Sequence, residues 1–513
     1  MTHDVAIVGA GPVGTALAVL LAQLGRSVLL LERRPEPYAL PRAVHFDDEV
    51  GRILQACGLG DRLRAISEPA EVYEWRNATG STLLRFGRIG LGPCGWPQSS
   101  MFNQPAMEQL LTDRAAGLSA VELRRDVEVT DLAQGRSTVE LSGMDRRTGE
   151  PMHTSARYVV GCDGANSTVR SLIEAPVQDL GFFHDWLIVD VVLHEPRIFD
   201  PINVQICDPA RPSTAVSGGP GRRRWEFMRL PDESLAELDS EAAAWRLLES
   251  WDVTPANATL ERRAVYTFQA RWVQRWRQGR VLLAGDAAHQ MPPFAGQGLC
   301  AGLRDVNNLA WKLDLVVDGR ADQALLDTYE SERCENVQRV IDFSMELGKV
   351  ICVPDPVEAS ARDDAMIAGI VVGELTEVPP LPGISTGLIS AGSPHAGTVL
   401  PQGRVAGPVR LDDEVGVGWR LVMTPSTASE LRALLRAEAA LATWFARIGG
   451  RALSIGTDGD LSDPDGTYLE WFDAHDASAA LQRPDFHLYG TALDGRSALE
   501  LLVELRGSLD TSP

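Results

Sequence analysis

Near the start of the chain, apolar runs alternate with a glycine-rich turn and a helix-like stretch: VAIVGA, then GPVG, then TALAVLLAQLG ending at Gly25, then SVLLLE. Strands that are apolar on both faces and flank a helix predict a buried parallel sheet and a βαβ unit. In residues 41–63, Asp47 is placed to cap a helix that stops near Gly58. Helical periodicity returns over 104–116, and 121–160 alternates in strand fashion up to RYVVGCDG. From about 180 to 270 the chain is strand-rich, with turn clusters at DPARPS and SGGPGRRR, and reads as a second domain inserted into the first. The apolar strand VLLAGD, a glycine-rich loop and a long helical stretch over 301–348 return the chain to the first domain.

The predicted division is therefore 1–180 with 271–352 as a discontinuous first domain, 181–270 as the inserted one, and part of 72–100 shared with it. Residues 353–408 are rich in Pro, Gly, Ser and acids and read as a linker. The stretch 409–513 alternates short strands with two helices and reads as a small α/β domain.

Composition narrows the class. The 513 residues, 44% hydrophobic and 23% charged, describe a well-cored globular chain rather than a disordered one. Seventy acidic residues against 48 Lys plus Arg give a net charge of −22, which opposes nucleic acid and anionic membrane partners. Only Lys312 and Lys349 are lysines, so recognition of anions falls to arginine and lysine Schiff-base chemistry is not expected. Seven cysteines, without C-x-x-C or zinc spacing, fit a reduced, cytoplasmic setting and no metal. The uncharged run 5–24 is long enough to cross a membrane, but its glycines and Pro12 argue against a span or a signal peptide.

Three constellations carry chemistry. Gly9-Ala10-Gly11-Pro12-Val13-Gly14 lies between strand and helix, with Glu32 ending the next strand. That spacing suits a dinucleotide, its pyrophosphate on the helix N-terminus and its ribose on the acid. Arg33 follows, near the adenosine. Asp163-Gly164 and Gly285-Asp286 each end an apolar strand, and Gly296-Gln297-Gly298 precedes a helix. Ligands collect at such strand ends in open α/β sheets.

These motifs, in this order and with Phe102-Asn103-Gln104-Pro105 before a helix, resemble the FAD-dependent aromatic hydroxylases, the group A flavoprotein monooxygenases. PRAVHFDDE, CGWPQSSMFNQP, DWLIVDV, ICDPARP, RRWEFMRLP and RVLLAGDAAHQMPPFAGQG are most similar to the 3-(3-hydroxyphenyl)propionate hydroxylase branch. The resemblance implies an α/β fold: a Rossmann-like FAD domain interleaved with a mixed-sheet substrate domain, plus a thioredoxin-like C-terminal domain. In relatives that last domain packs or dimerises, which makes a homodimer an expectation here.

The resemblance also implies FAD, with NADH or NADPH as transient reductant and a phenolic substrate and O2 as partners. Hydroxylation would pass through a C4a-hydroperoxyflavin. The substrate would be a phenolic acid of the 3-(3-hydroxyphenyl)propionate kind, the alternatives being a polycyclic or polyketide phenol or a flavin protein that does not hydroxylate. Gly9 to Gly14, Glu32, Arg33, Arg42, Gln104, Val127, Asp163, Gly164, Gly285, Asp286, Pro293, Gly296, Gln297, Gly298 and Leu299 would hold the cofactor. Arg42, His45, Asp48 and Pro293 are the catalytic candidates, and Phe183, Trp186, Phe227 and Tyr266 the candidate pocket walls. Arg222, Arg223 and Arg224 are candidates to pair with a substrate carboxylate. His289 reads as a structural histidine or a proton relay. Many relatives carry Asn at the place of Cys300, which is either an activated thiol at a helix start or a small residue in a tight turn.

Overall fold

The computed structural model describes residues 2–38, 40–369, 375–376 and 381–510. Strand Thr2–Val8 pairs in parallel with Val28–Leu31 on one side and Pro151–Gly161 on the other, and helix Pro12–Gln23 connects the first two. Val121–Arg124 and Val281–Leu283 extend this parallel sheet at either end. Every residue of Val28–Leu31 and Val281–Leu283 is buried, because helices cover both faces. The predicted βαβ opening is present, as is the cap: the Asp47 side chain accepts from the Val50 N–H and helix Asp48–Ala56 follows.

A second eight-stranded sheet carries the inserted segment, with Val177–Leu193 and Ala258–Val273 as its long central strands. Val72–Asn77 and Thr82–Gly87 join its edge beside Asn203–Cys207, so part of 72–100 does lie with it. Its two faces differ. Leu187, Val189, Trp225 and Phe227 point into a closed core under short helices. The alternate positions Ile188, Glu226, Thr214, Gln205 and Trp75 face the first domain across a cavity.

The helical stretch predicted over 301–348 is two helices, Gly298–Val317 and Asp327–Ile351. Within 353–408 the structure places helix Pro356–Ala368, whose Arg362 donates to the Cys207 and Val350 carbonyls of its neighbours. The C-terminal sheet runs Arg451–Ser454, Arg420–Met423, Ala479–Gln482, Leu488–Ala492, the first pair parallel and the others antiparallel. This 2-1-3-4 order is the thioredoxin-type arrangement. Among the described residues five helices accompany it rather than the two predicted, because Leu411–Val415, Ala439–Arg447 and Thr467–Ala474 are too short to show a clear period in sequence. No helix among the described residues is long and apolar enough to cross a membrane.

Candidate active site

A cavity of about 500 Å³ begins at the end of the first βαβ unit and runs between the two sheets. Its nucleotide end is built from the glycine turn. Gly9 has φ +103°, and a Cβ there would strike the Cys162 carbonyl. A Cβ on Gly14 would strike the Gly9 carbonyl, so that glycine serves helix–strand packing and does not line the cavity. On Gly11 the nearest atom to a Cβ would be Nη2 of Arg42, 4.0 Å away, which leaves the space a pyrophosphate needs. Glu32 accepts from the Ala10 and Arg34 N–H groups at 2.9 Å each, fixing its carboxylate beside the turn. Ala10, Pro12, Val13, Arg33, Val127 and Gly164 line the same end.

Arg42 reaches over this cradle, its Nη2 3.6 Å from Glu108. Gln104 accepts from the Arg42 and Ala43 N–H groups, at 3.2 and 2.5 Å, and donates to Glu108, so it shapes the 42–43 backbone. Burial, offset in part by Gln104 and Arg42, raises the Glu108 carboxyl. Asp163 lines the cavity, yet its oxygens are occupied by the Ser167 hydroxyl and the Thr168 and Val169 N–H groups, so it holds the turn. Asp286 is exposed to the cavity without a hydrogen-bond partner among the described residues, as a ligand for a polyol would be. Pro293 opens a single 3-10 turn that ends at Gly296 with φ +66°, and Gly298 and Leu299 start the helix that follows. All four line the cavity, so the residues present fit FAD.

His45 faces this loop. Its Nδ1 lies 3.2 Å from the Gly296 carbonyl, which can only accept, so Nδ1 carries the proton and Nε2 is the basic nitrogen. Nε2 meets Ser99 Oγ at 3.0 Å and Arg88 Nη1 at 3.4 Å. Burial, and then the Arg88 charge, lower its pKa to about 4, so the imidazole is neutral at physiological pH.

Several sequence candidates stand elsewhere. Asp48 lies outside the cavity, accepting from the Cys94 N–H at the 92–95 turn. Gln297 also turns away, donating to Asp47 and accepting from Arg304, and Gly285 packs on Val13. Phe227 has the wrong strand parity and is buried in the opposite core. Phe183 sits beside a register irregularity and is 52% exposed, away from the cavity. Trp186 stands one layer back, stacked on Phe268 with centroids 5.8 Å apart, and Phe268 is the wall. Tyr266 does line the cavity.

His289 is bonded to Asp305 at 2.7 Å, Asp305 is held in turn by Arg333, and His289 does not line the cavity. Burial pushes the Cys300 thiol up, so it stays protonated, with its Sγ toward the His45 and Gly296 carbonyls. Arg222 pairs with Glu261, and Arg223 lies over Phe199. Arg224 is saturated by Asp190 and the Pro41 and Arg42 carbonyls. Sequence reasoning missed Tyr73, Arg88, Gln205, Thr214, Glu226 and Phe294, all cavity-lining. Strand alternation in RRRWEFM could have separated Glu226 from Phe227 once one facing residue was known.

A glycine-turn nucleotide site opens into a cavity beneath a second sheet, the arrangement of a dinucleotide-dependent enzyme with its substrate space beside the cofactor. The comparisons agree. The FAD binding domain family matches residues 2–344, and the HcaD C-terminal domain matches 397–506. The chain is 38% identical to a probable NADH-specific resorcinol 4-hydroxylase of Rhodococcus jostii (strain RHA1), covering 99% of this chain and 96% of that one. It is 34% identical to a 3-(3-hydroxy-phenyl)propionate/3-hydroxycinnamic acid hydroxylase of Mycolicibacterium gilvum (strain PYR-GCK), over 94% and 88%. In fold it matches the flavin-dependent monooxygenase PieE, solved with FAD and substrate, at a TM-score of 0.82 and 24% identity over the full length of both chains. The chain belongs to the FAD-dependent aromatic hydroxylases.

Proposed function

We propose that this protein hydroxylates a mononuclear phenol, using NADH or NADPH and O2, and that His45 is the base that receives the phenolic proton. The observation that carries this is a neutral, cavity-lining imidazole whose unprotonated Nε2, held by Ser99 and Arg88, stands beside the 293–299 loop. A general base contributes about 10²–10⁴-fold when its pKa lies near the operating pH, and a phenolate formed beside Nε2 would raise that of His45 toward it. FAD, when bound, supplies hydride acceptance and oxygen activation. The glycine turn, Glu32 and Arg42 would bind its nucleotide portion, Asp286 its ribityl chain, and Pro293, Gly296, Gly298 and Leu299 its ring. Tyr73, Trp75, Phe268 and Phe294 would exclude water around the substrate ring.

The similar proteins are named for resorcinol and for 3-(3-hydroxyphenyl)propionate, and both are one-ring phenols. Seven free cysteines support a reduced, cytoplasmic setting, and a homodimer through the thioredoxin-like domain belongs to the same reading. The test is turnover: NADH oxidation coupled to a hydroxylated product with either one-ring phenol. Product from a polyketide phenol with none from the one-ring phenols would overturn the substrate reading.

A further inference from the structure

Arg88 is a cavity-lining arginine that no function has yet absorbed. Its Nη1 stands 3.4 Å from Nε2 of His45, and it pairs with no carboxylate among the described residues. Of the other arginines beneath the large sheet, Arg224 is committed to Asp190, whereas Arg262 donates to the Pro41 carbonyl, lies over the Tyr266 ring and keeps Nε and Nη2 buried without a hydrogen-bond partner, out of contact with His45. The acids that Arg88 senses are occupied as well. Asp47 is paired with Arg304 at 2.7 Å, and Asp48 accepts from Cys94. The Cys300 thiol and the Tyr73 hydroxyl, the other titratable groups facing it, are both pushed up by burial and stay neutral. A largely buried cation without a counter-ion is costly unless its site brings one.

The geometry points to a substrate phenolate as that counter-ion, with Arg88 binding the same oxygen whose proton His45 takes. The inference rests on the phenol-hydroxylase reading. On binding, the phenolic O–H bond breaks, the proton goes to Nε2 of His45, and the electron pair stays on the oxygen facing Arg88. The arginine thus offsets the penalty of forming an anion in a half-apolar pocket, and the loss of the proton raises the ring electron density needed for oxygenation. It also keeps His45 neutral until the phenolate arrives, because two adjacent cations without an anion repel.

The test is ligand binding to the FAD-loaded protein without reductant, followed by flavin difference absorbance and the near-ultraviolet phenolate band. The ligands are resorcinol, 1,3-dimethoxybenzene, 3-(3-hydroxyphenyl)propionate and its 3-methoxy counterpart. Arg88→Met should weaken the hydroxy ligands at least about tenfold, change the methoxy ligands less than about twofold, and abolish the phenolate band. Arg88→Lys should restore part of each. Should Arg88→Met lose FAD, Arg88→Gln is read by the same criteria. Equal loss for hydroxy and methoxy ligands would overturn the inference, because it marks a packing role. Loss confined to the two propionates would overturn it too, because it marks a carboxylate anchor. If no hydroxy ligand perturbs the wild-type flavin, the phenol-hydroxylase reading itself fails.

Discussion

Asp47 and Asp48 are neighbours with opposite titration. Burial alone would raise Asp47, but Arg304 at 2.7 Å holds it near 2. Burial and then the Asp47 charge raise Asp48 to about 6. The signs follow. Asp47 contributes stability above the ordinary carboxylate range that is lost as pH falls from about 4 through about 2. Asp48 is charged at a cost at neutral pH, and that cost is relieved as pH falls through about 6. Asp48→Asn keeps the acceptor for Cys94 and removes the charge, so thermal unfolding at pH 7 should show a gain of about 1–3 kcal/mol with turnover unchanged. A collapse of kcat would restore Asp48 to the catalytic set. Asp286→Ala should release FAD, which equilibrium dialysis measures; tightly retained flavin would refute its ribityl role.

At the scale of elements, the nucleotide half was legible because its chemistry is contiguous. Strand, glycine turn, helix and Glu32 lie within 32 residues, and their spacing alone prescribes the cradle. The substrate half was not legible. Its wall draws Tyr73, Arg88, Gln205, Glu226 and Phe268 from five separate strands or their ends, and which of two alternating residues faces inward depends on pairing no local pattern reveals. Trp186 and Phe227 were reasonable aromatic choices, but one stands a layer behind the wall and the other on the opposite face. Parity yields a paired prediction. Phe227→Ala should cost about 3–5 kcal/mol in denaturant unfolding with KM little changed. Glu226→Gln should leave stability nearly intact and shift KM. The reverse pattern would mean the register is misassigned.

Across the whole molecule, buried charge ties the C-terminal domain to the flavin domain. Arg483 bonds Glu332 and Asp485 at 2.6 Å each, Lys312 meets Glu332 at 2.7 Å, and all four are essentially inaccessible. Glu332 sits on helix Asp327–Ile351, whose Phe343 and Leu347 line the cavity, so the tail braces a wall of the site. Removing one partner of a buried pair costs about 3–5 kcal/mol. Arg483→Ala should therefore lower the midpoint of one shared unfolding transition, followed by flavin and tryptophan fluorescence together. A separate early transition of the tail would contradict this coupling. The net charge of −22 also takes on meaning here: an anionic nicotinamide nucleotide approaches against that field, toward the exposed guanidinium groups of Arg33 and Arg42.

The most direct test is oxygen tracing. The FAD-loaded protein, supplied with NADH, a one-ring phenol and ¹⁸O2, should yield a product bearing one labelled oxygen on the ring, as read by mass spectrometry. NADH consumption that sends all of the label to hydrogen peroxide, with resorcinol and 3-(3-hydroxyphenyl)propionate both unchanged, would contradict the account.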